Sequence, residues 1–309
     1  MNRHPIKVVA ARTGLSPHLI RMWERRYGAV MPARTQTNRR LYSDEDISRL
    51  ALLRKATQAG ESIGQIAKLD QEELRQLTNL PPGGIKAGTD GQVGEARAAL
   101  HVEQCLHAIR RSDQGALESE LLKADVALGV QATLDEVLNP LLVHVGQMWH
   151  EGRLGISHEH LVSAVVRTFL GNVVGSSLLD AEAPVMLSTT PTGAMHEFGA
   201  LMVSATAAAR GWRAVYAGPN TPAADIATGA KINGARLVAL SLIFPPGDPE
   251  IRRQLIQTRQ LLDDKVTLVV GGRSAESYRD TLDEQGIRII RDLRDLADYL
   301  SAGMRPLTS

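Results

Sequence analysis

Three short segments in the C-terminal part of the chain combine residue types that bind ligands and metals. Their key residues are His196 and Gly199, Ser241 and Leu242, and Gly271 and Gly272. Each segment follows a short apolar run, and the carboxyl ends of parallel strands meet at one edge of a sheet. A neutral imidazole can bind a metal, and glycines let a flat group lie against the backbone. The segments therefore predict a site for a large planar ligand that carries a metal, although His196 alone is more typical of an ordinary loop histidine.

A second group of such residues lies in the preceding helical part. Trp149 and His150 end one predicted helix, and Glu159 and His160 fall in the first turn of the next. All four are expected at one end of a helical bundle, where they could cover a ligand that rests on the sheet. The alternative is a surface histidine cluster at a helix corner, made up of His144, His150, His158 and His160.

The elements that position these residues follow from the apolar pattern. From residue 184 onward, short apolar runs alternate with helical patterns. The runs are Val185–Leu187, Ala214–Tyr216, Leu237–Ser241, Val266–Val270 and Ile287–Ile290. This alternation predicts a doubly wound parallel sheet of the flavodoxin type. Between residues 95 and 178, apolar residues recur at helical spacing, which predicts a bundle of four or five helices.

The first 59 residues form a basic segment with the pattern of a helix-turn-helix. They hold 12 Lys and Arg against 4 Asp and Glu, whereas the remainder holds 23 against 30. After a short helix and a glycine turn, Ser16 can cap a second helix over Pro17–Tyr27, with Trp23 on its apolar face. The basic stretch Arg34–Tyr42 is typical of a hairpin wing. The pattern predicts a winged helix-turn-helix that binds double-stranded DNA, and a merely solvated basic face is the alternative.

Composition excludes several classes of protein. Aromatic residues are 4% of the chain, which argues against a stacked aromatic platform for single-stranded nucleic acid. The single cysteine, Cys105, excludes a disulfide framework and a cysteine-based metal sensor. The N-terminus lacks the pattern of a signal peptide, and the apolar runs have the length of strands. We therefore expect a soluble, cytoplasmic protein without a membrane partner.

The basic segment resembles the DNA-binding domain of the MerR family of transcription regulators over residues 5–75. The resemblance rests on the runs RMWERRYG, RRLYSDEDI and GESIGQIA. It implies that residues of the second helix approach bases and that residues of the wing meet the DNA backbone. A Pro/Gly-rich stretch replaces the long dimerisation helix that is usual in the family, so assembly is expected in the C-terminal part. The expected DNA-binding residues are Arg12, Arg21, Arg25, Arg39, Arg40 and Tyr42.

The ligand-binding segments resemble those of the cobalamin-binding domains of methionine synthases and corrinoid proteins. The resemblance implies that His196 is the lower axial ligand of cobalt. It also implies that Ser241 meets the nucleotide tail of the cofactor and that the glycine pair makes room for that tail. Ala194 stands where the family carries an acidic residue that polarises the histidine, and Glu197 is not assumed to replace it.

The spacing of Trp149 from the Glu159–His160 pair resembles the cobalamin-dependent photoreceptor branch of the MerR regulators, the CarH and LitR type. The resemblance implies that these residues surround the adenosyl group of 5′-deoxyadenosylcobalamin, and that His150 becomes the upper cobalt ligand after photolysis. It implies a light-responsive transcriptional repressor at the bacterial nucleoid. Such a repressor binds its operator as a homotetramer in the dark and releases it on illumination.

Two alternatives remain open for the function. A regulator of the same build could ignore light and respond to cobalamin or to a protein antagonist, and Ala194 favours this alternative. A corrinoid-carrying enzyme subunit is disfavoured, because no segment of the size of a barrel is left to house a substrate. We therefore expect a regulator and not an enzyme.

The predicted architecture is multidomain, with α and α/β parts. The expected parts are a winged helix-turn-helix over 1–77, a flexible linker over 78–94, a helical bundle that caps the cobalamin over 95–180, and a Rossmann-type cobalamin-binding domain over 181–305.

Overall fold

The computed structural model describes residues 3–35, 39–58, 63–79, 90–175 and 183–303. The chain divides into two compact units, Met1–Val165 and Val166–Ser309. Of the predicted linker, residues 80–89 lie outside the described part. Both flanks are helical, since one helix ends at Asn79 and the next begins at Asp90. The predicted linker is therefore too long by a few residues at each end, because the glycines at 91 and 94 are tolerated within a helix at a modest energetic penalty.

The N-terminal elements form a helix-turn-helix, as predicted. Helix α1 covers Ile6–Thr13 and helix α2 covers Pro17–Tyr27. Between them, Gly14 adopts a φ of +66°, a conformation that side-chain-bearing residues rarely reach. The Leu19 N–H donates a hydrogen bond of 3.2 Å to Ser16 Oγ, which caps α2. These local signals set the start of the second helix.

A small antiparallel sheet forms the wing. Its strands are β1 (Arg3–His4), β2 (Ala33–Arg34) and β3 (Arg40–Ser43), in the order β1-β3-β2. Three helices follow it, α3 (Asp44–Gln58), α4 (Ile63–Ile66) and α5 (Gln71–Asn79). Ser43 and Asp46 fix the start of α3 by reciprocal hydrogen bonds, because the Asp46 N–H donates to Ser43 Oγ and the Ser43 N–H donates to the Asp46 carboxylate.

The core of the winged helix-turn-helix is built around Trp23 and Tyr42, both fully buried. The same apolar cluster includes Val126, with Leu122 packed against it, and both belong to a helix beyond the predicted linker. The core therefore extends from the DNA-binding module into the bundle. The expectation that Trp23 is a core residue is confirmed.

The bundle helices are α6 (Asp90–Arg110), α7 (Gln114–Leu128), α8 (Val130–Ala132), α9 (Asn139–His150) and α10 (Ile156–Gly175). A π-helical stretch over Thr133–Leu138 joins α8 to α9. Cys105 of α6 is buried, and burial raises the pKa of its thiol to about 12, which fits a core residue. Among the described residues, none of the helices is both long and apolar enough to cross a membrane.

The second unit contains the predicted parallel sheet. Its strands are β4 (Val185–Thr189), β5 (Arg213–Tyr216), β6 (Ala235–Ser241), β7 (Thr267–Gly271) and β8 (Arg288–Ile290). The connecting helices are α11 (Phe198–Ala209), α12 (Ala223–Asn233), α13 (Pro249–Leu261), α14 (Arg279–Glu284) and α15 (Leu293–Gly303). The strand order β5-β4-β6-β7-β8 is the flavodoxin-like order, which confirms the prediction.

Each face of this sheet is covered by its own apolar layer. One layer contains Leu187, Val238 and Val270, and the other contains Met186, Leu237 and Val269. Because successive side chains of a strand point to opposite faces, neighbouring residues join different layers. The chain reverses its direction of winding between β4 and β6, so the carboxyl ends of these two strands form the switch point where open α/β sheets bind ligands.

Candidate cofactor and DNA-binding sites

His196 lies at the switch point of the sheet, in the loop between β4 and α11. Its side chain is exposed, and its ring meets the ring of Phe244 edge-on, with centroids 6.3 Å apart. Phe244 comes from the loop after β6 and is 60% exposed, and Met195 is 64% exposed. An exposed imidazole bordered by large exposed apolar side chains suits a ligand that is both apolar and metal-bearing. Met195 and Phe244 were not among the predicted site residues.

Hydrogen bonds hold the loop ahead of His196. The Asn220 N–H donates to Thr190 Oγ1 at 2.8 Å, and Thr190 Oγ1 donates in turn to the carbonyl of Ala194. The Gly193 N–H donates to Asn220 Oδ1 at 2.8 Å. The methyl group of Ala194 is buried in the apolar layer of the sheet. Ala194 therefore anchors the loop and has no polar atom on its side chain to offer the imidazole.

Glu197 follows His196, and its carboxylate is bound by two other side chains. Tyr216 donates its hydroxyl to Oε2 at 2.6 Å, and Arg167 donates to Oε1 from Nε, at 3.0 Å, and from Nη2. Burial by itself would raise the pKa of Glu197, but the Tyr216 and Arg167 hydrogen bonds stabilise the carboxylate and hold its pKa below the ordinary value. Both carboxylate oxygens thus bind groups other than the imidazole of His196.

Each predicted glycine lies close to a neighbouring residue at the edge of the sheet. A Cβ added at Gly199 would overlap Ser241 Oγ, so the close contact between these two residues leaves no room for a side chain at position 199. Gly272 has a φ of +100°, and a Cβ there would overlap the backbone of Leu242. Gly271 ends β7 and approaches the backbone of β8. The structure therefore brings the three predicted segments together at one edge of the sheet.

A small buried polar layer lies beneath this edge. Ser188 of β4 and Ser204 of α11 share a hydrogen bond of 2.5 Å, and Ser188 also donates to the carbonyl of Ala200. Both serines are fully buried. Small residues thus line the contact between β4 and α11. The sequence did not indicate this contact, because the apolar pattern that predicts helices and strands does not include serine.

The four predicted bundle residues flank one turn. Trp149 and His150 end α9, Gly152 in the turn has a φ of +71°, and α10 begins at Ile156. Trp149 is 50% exposed although it is the largest apolar side chain there, and His150 is exposed. The indole of Trp149 and the imidazoles of His150 and His160 are therefore accessible to a ligand at this end of the bundle.

The acidic member of this group is held by its own helix. Glu159 accepts a hydrogen bond from Ser163 Oγ at 2.8 Å, and its other oxygen lies 3.6 Å from His160 Nε2. His144, of the alternative histidine cluster, bonds to the carbonyl of Pro140 through its Nδ1. Within the described ranges, no three His, Cys, Asp or Glu side chains are grouped so as to hold a metal ion.

The predicted DNA-binding residues differ in how accessible they are. Arg25 and Arg39 are exposed. Arg12 is exposed too, and its Nη1 lies 3.2 Å from the carboxylate of Asp44. Arg21 is half-buried, and burial followed by the nearby Arg40 lowers the pKa of its guanidinium. Accessible arginines therefore remain on both the second helix and the wing.

Two wing residues are engaged within the protein by Glu24 of α2. Arg40 Nε donates to both carboxylate oxygens, at 2.9 and 2.8 Å, and the Tyr42 hydroxyl donates to one of them at 3.3 Å. Burial raises the pKa of Tyr42, and the neighbouring Glu24 raises it further. The side chain of Tyr42 is fully buried, so the expected contact with the DNA backbone is corrected to a role in the core.

Comparisons with known proteins match three segments of the chain. The model of the MerR HTH family regulatory protein matches residues 5–73, and models of the B12 binding domain match residues 101–173 and 184–292. These matches define the class of protein, a MerR-type transcriptional regulator with B12-binding domains. They confirm the expected DNA-binding domain and the expected binding of cobalamin.

Two relatives match almost the whole length of the chain. The chain is 30% identical to the HTH-type transcriptional repressor CarH of Myxococcus xanthus, over 94% of this chain and 95% of CarH. It is 28% identical to the HTH-type transcriptional repressor CarA of the same organism, over 94% of each chain. A solved corrinoid protein for monomethylamine from Methanosarcina barkeri is 15% identical, with a TM-score of 0.48 over 67% of this chain and 99% of its own. The chain belongs to the family of B12-binding MerR-type regulators that includes CarH.

Proposed function

We propose that this protein is a light-responsive transcriptional repressor with 5′-deoxyadenosylcobalamin as its chromophore. In the dark it binds operator DNA as a homotetramer, and illumination releases the DNA. The proposal rests on the exposure of the predicted site residues. The side chain of His196 is exposed at the switch point of the sheet. Around one turn of the bundle, Trp149, His150, Glu159 and His160 are exposed or half-exposed. Its relative CarH is named a repressor, which supports the direction of the regulation.

The residues at the sheet edge fit a cobalt corrin. His196 supplies a nitrogen donor, and Met195 and Phe244 supply apolar surface beside it. Gly199 and the glycine pair, Gly271 and Gly272, let Ser241 and the neighbouring backbone pack closely at the edge where the nucleotide tail would enter, and Ser241 supplies a hydroxyl there. These residues would hold the cofactor from its lower side.

The bundle residues are assigned to the upper side. Trp149, Glu159 and His160 would contact the adenosyl group, and His150 would serve as the cobalt ligand once that group has left. The cofactor, when bound, supplies visible absorbance and a photolabile cobalt–carbon bond. The protein's part is to bind and orient it, and to have two arrangements that differ in their affinity for the intact cofactor.

Release of DNA would follow from a change of assembly. Each winged helix-turn-helix would bind its half-site weakly. When several are joined and one has bound, the others are held at a high effective concentration near the remaining half-sites. A cofactor that stabilises the tetramer therefore strengthens operator binding, and its photolysis weakens it. On this proposal the protein would act in the cytoplasm, at the nucleoid, where its operator would lie.

Gel filtration of the full chain tests the proposal. The protein is loaded with adenosylcobalamin in the dark, and half of the sample is exposed to green light before the run. We expect the dark sample to elute at a larger size and to shift an operator fragment, and the illuminated sample to do neither. Equal elution volumes with the cofactor bound in both samples would refute the light switch.

The alternative is a regulator that responds to cobalamin, or to a protein antagonist, without sensing light. The buried methyl side chain of Ala194 favours it, because the axial histidine then lacks the usual acidic partner. The same experiment separates the two. Cobalamin-dependent assembly that is identical in the dark and in the light would support this alternative.

A further inference from the structure

Glu197 is the central residue of a partly buried hydrogen-bonded cluster beside the predicted axial histidine. The Glu197 side chain is 16% exposed, whereas its partner Arg167 is 55% exposed. The cluster joins three elements of the second unit. Arg167 belongs to α10, Tyr216 is the last residue of β5, and Glu197 stands directly before α11. A carboxylate bound on both oxygens in this way has little freedom to rotate.

The loop around His196 is therefore held on both sides. Ahead of it, Thr190 and Asn220 bind the backbone at residues 193 and 194. Behind it, Tyr216 and Arg167 hold the side chain of the very next residue. These contacts on either side restrict the backbone dihedral angles of His196. The edge-on contact with the Phe244 ring restricts the rotation of its imidazole.

We propose that Glu197 is a positioning residue for the His196 imidazole, and that it acts through the backbone they share instead of by a hydrogen bond to the ring. Tyr216 and Arg167 take part by donating hydrogen bonds that fix the Glu197 carboxylate. This arrangement supplies, from the C-terminal side of the histidine, the orientation that an acidic residue at Ala194 would supply by direct contact. The inference rests on the proposed binding of cobalamin through His196.

The test measures axial ligation and affinity in the full-length protein. Cob(II)inamide, which lacks the nucleotide base of cobalamin, shows nitrogen splitting in its electron paramagnetic resonance spectrum when an imidazole of the protein binds its cobalt, and shows none otherwise. We expect Glu197→Gln to reduce the fraction of split signal and to weaken adenosylcobalamin binding in the dark by roughly tenfold or more. Tyr216→Phe, which removes one hydroxyl and keeps the ring, should act in the same direction with a smaller effect.

A double-mutant cycle distinguishes positioning from a general structural role. In a His196→Ala background, Glu197→Gln should change the dissociation constant by less than about twofold, because the group through which it acts is gone. The matched control is Glu276→Gln, which breaks an exposed Arg279–Glu276 ion pair and should leave signal and affinity unchanged.

The outcomes separate this inference from the function on which it rests. If the unsubstituted protein shows no nitrogen splitting, both the axial role of His196 and the positioning role of Glu197 are overturned. If it shows splitting and Glu197→Gln retains it with unchanged affinity, only the positioning role is overturned. Equal losses of affinity in the two backgrounds would likewise refute positioning, since a structural defect acts whether or not His196 is present.

Discussion

Asp125 of α7 is a carboxyl group that the protein buries with a single hydrogen bond. Its Oδ2 accepts from Ser16 Oγ at 3.2 Å, and its Oδ1 has no hydrogen-bond partner among the described residues. Burial raises the pKa of Asp125 to about 7, and the Ser16 hydrogen bond offsets only part of that rise. Because Ser16 also caps α2, a charge at this position is adjacent to the start of the helix that is expected to read DNA.

The first prediction concerns the free energy of unfolding that is lost when Asp125 ionises. A carboxyl whose folded pKa is raised holds its proton longer in the folded state than in the unfolded state, so stability is lost as the pH rises from about 4 to about 7. Asp125→Asn removes the ionisation, and we expect it to stabilise the protein at pH 8 by an amount on the order of a few kcal/mol, with a much smaller gain at pH 4. Urea unfolding at both pH values measures this.

The control for this measurement is Glu103→Gln, at an exposed position on the neighbouring helix α6. Its effect should stay within about 0.5 kcal/mol at either pH. A gain for Asp125→Asn that is the same at pH 4 and pH 8 would show that the carboxyl does not ionise within this range.

At the scale of elements, α2 and the wing each carry an exposed arginine that is predicted to bind DNA. Arg25 is exposed on α2, and Arg39 is exposed just before β3, whereas Arg40 is paired with Glu24 across the two elements. The Glu24 pair therefore fixes the wing against α2, and the exposed arginines are left to bind. A helix laid in the major groove reads bases, and a wing meets phosphates.

The second prediction follows from this division of roles. Arg39→Ala should weaken binding to operator and to unrelated DNA alike, and should reduce the slope of log affinity against log salt by about one. Arg25→Ala should instead reduce the preference for operator over unrelated DNA, by roughly tenfold or more. Fluorescence anisotropy at several salt concentrations measures both, with Arg279→Ala, in the second unit, as the control. If both variants give the same salt slope as the unsubstituted protein, the assignment of Arg39 to a phosphate is wrong.

At the scale of the whole molecule, a basic DNA-binding module and an acidic ligand-binding part share one chain. The first 59 residues carry an excess of 8 positive charges, and the remainder carries an excess of 7 negative charges. Because negative charge repels DNA and positive charge attracts it, we expect contacts with the operator to be confined to the basic module. Under the proposed function, we expect strong binding to need several chains on one operator.

The third prediction tests this requirement. With adenosylcobalamin in the dark, we expect an operator with two half-sites to bind about a hundredfold more tightly than a fragment with one half-site. After illumination the two affinities should differ by only a few-fold, since unlinked modules gain nothing from a second site. Gel-shift titrations with the two fragments measure the ratio, and a ratio that illumination leaves unchanged would contradict light-dependent assembly.

Much of the fold could be predicted because its signals are local. Ser16 followed by Pro17 marks the start of α2 within one turn of chain, and the period of apolar residues locates each strand of the sheet to within a few residues. The spacing from Trp149 to His160 likewise depends only on where one helix ends and the next begins. Such features need no knowledge of distant parts of the chain.

The partners of Tyr42, Glu197 and Asp125 could not be predicted in this way. The family resemblance implied that Tyr42 contacts DNA, yet the core buries its side chain and its hydroxyl donates to Glu24, 18 positions earlier. Asp125 meets Ser16 across 109 positions of sequence. These contacts depend on how separate elements pack, and packing is decided by shape and burial summed over many residues, whereas a capping signal or an apolar period is complete within a few.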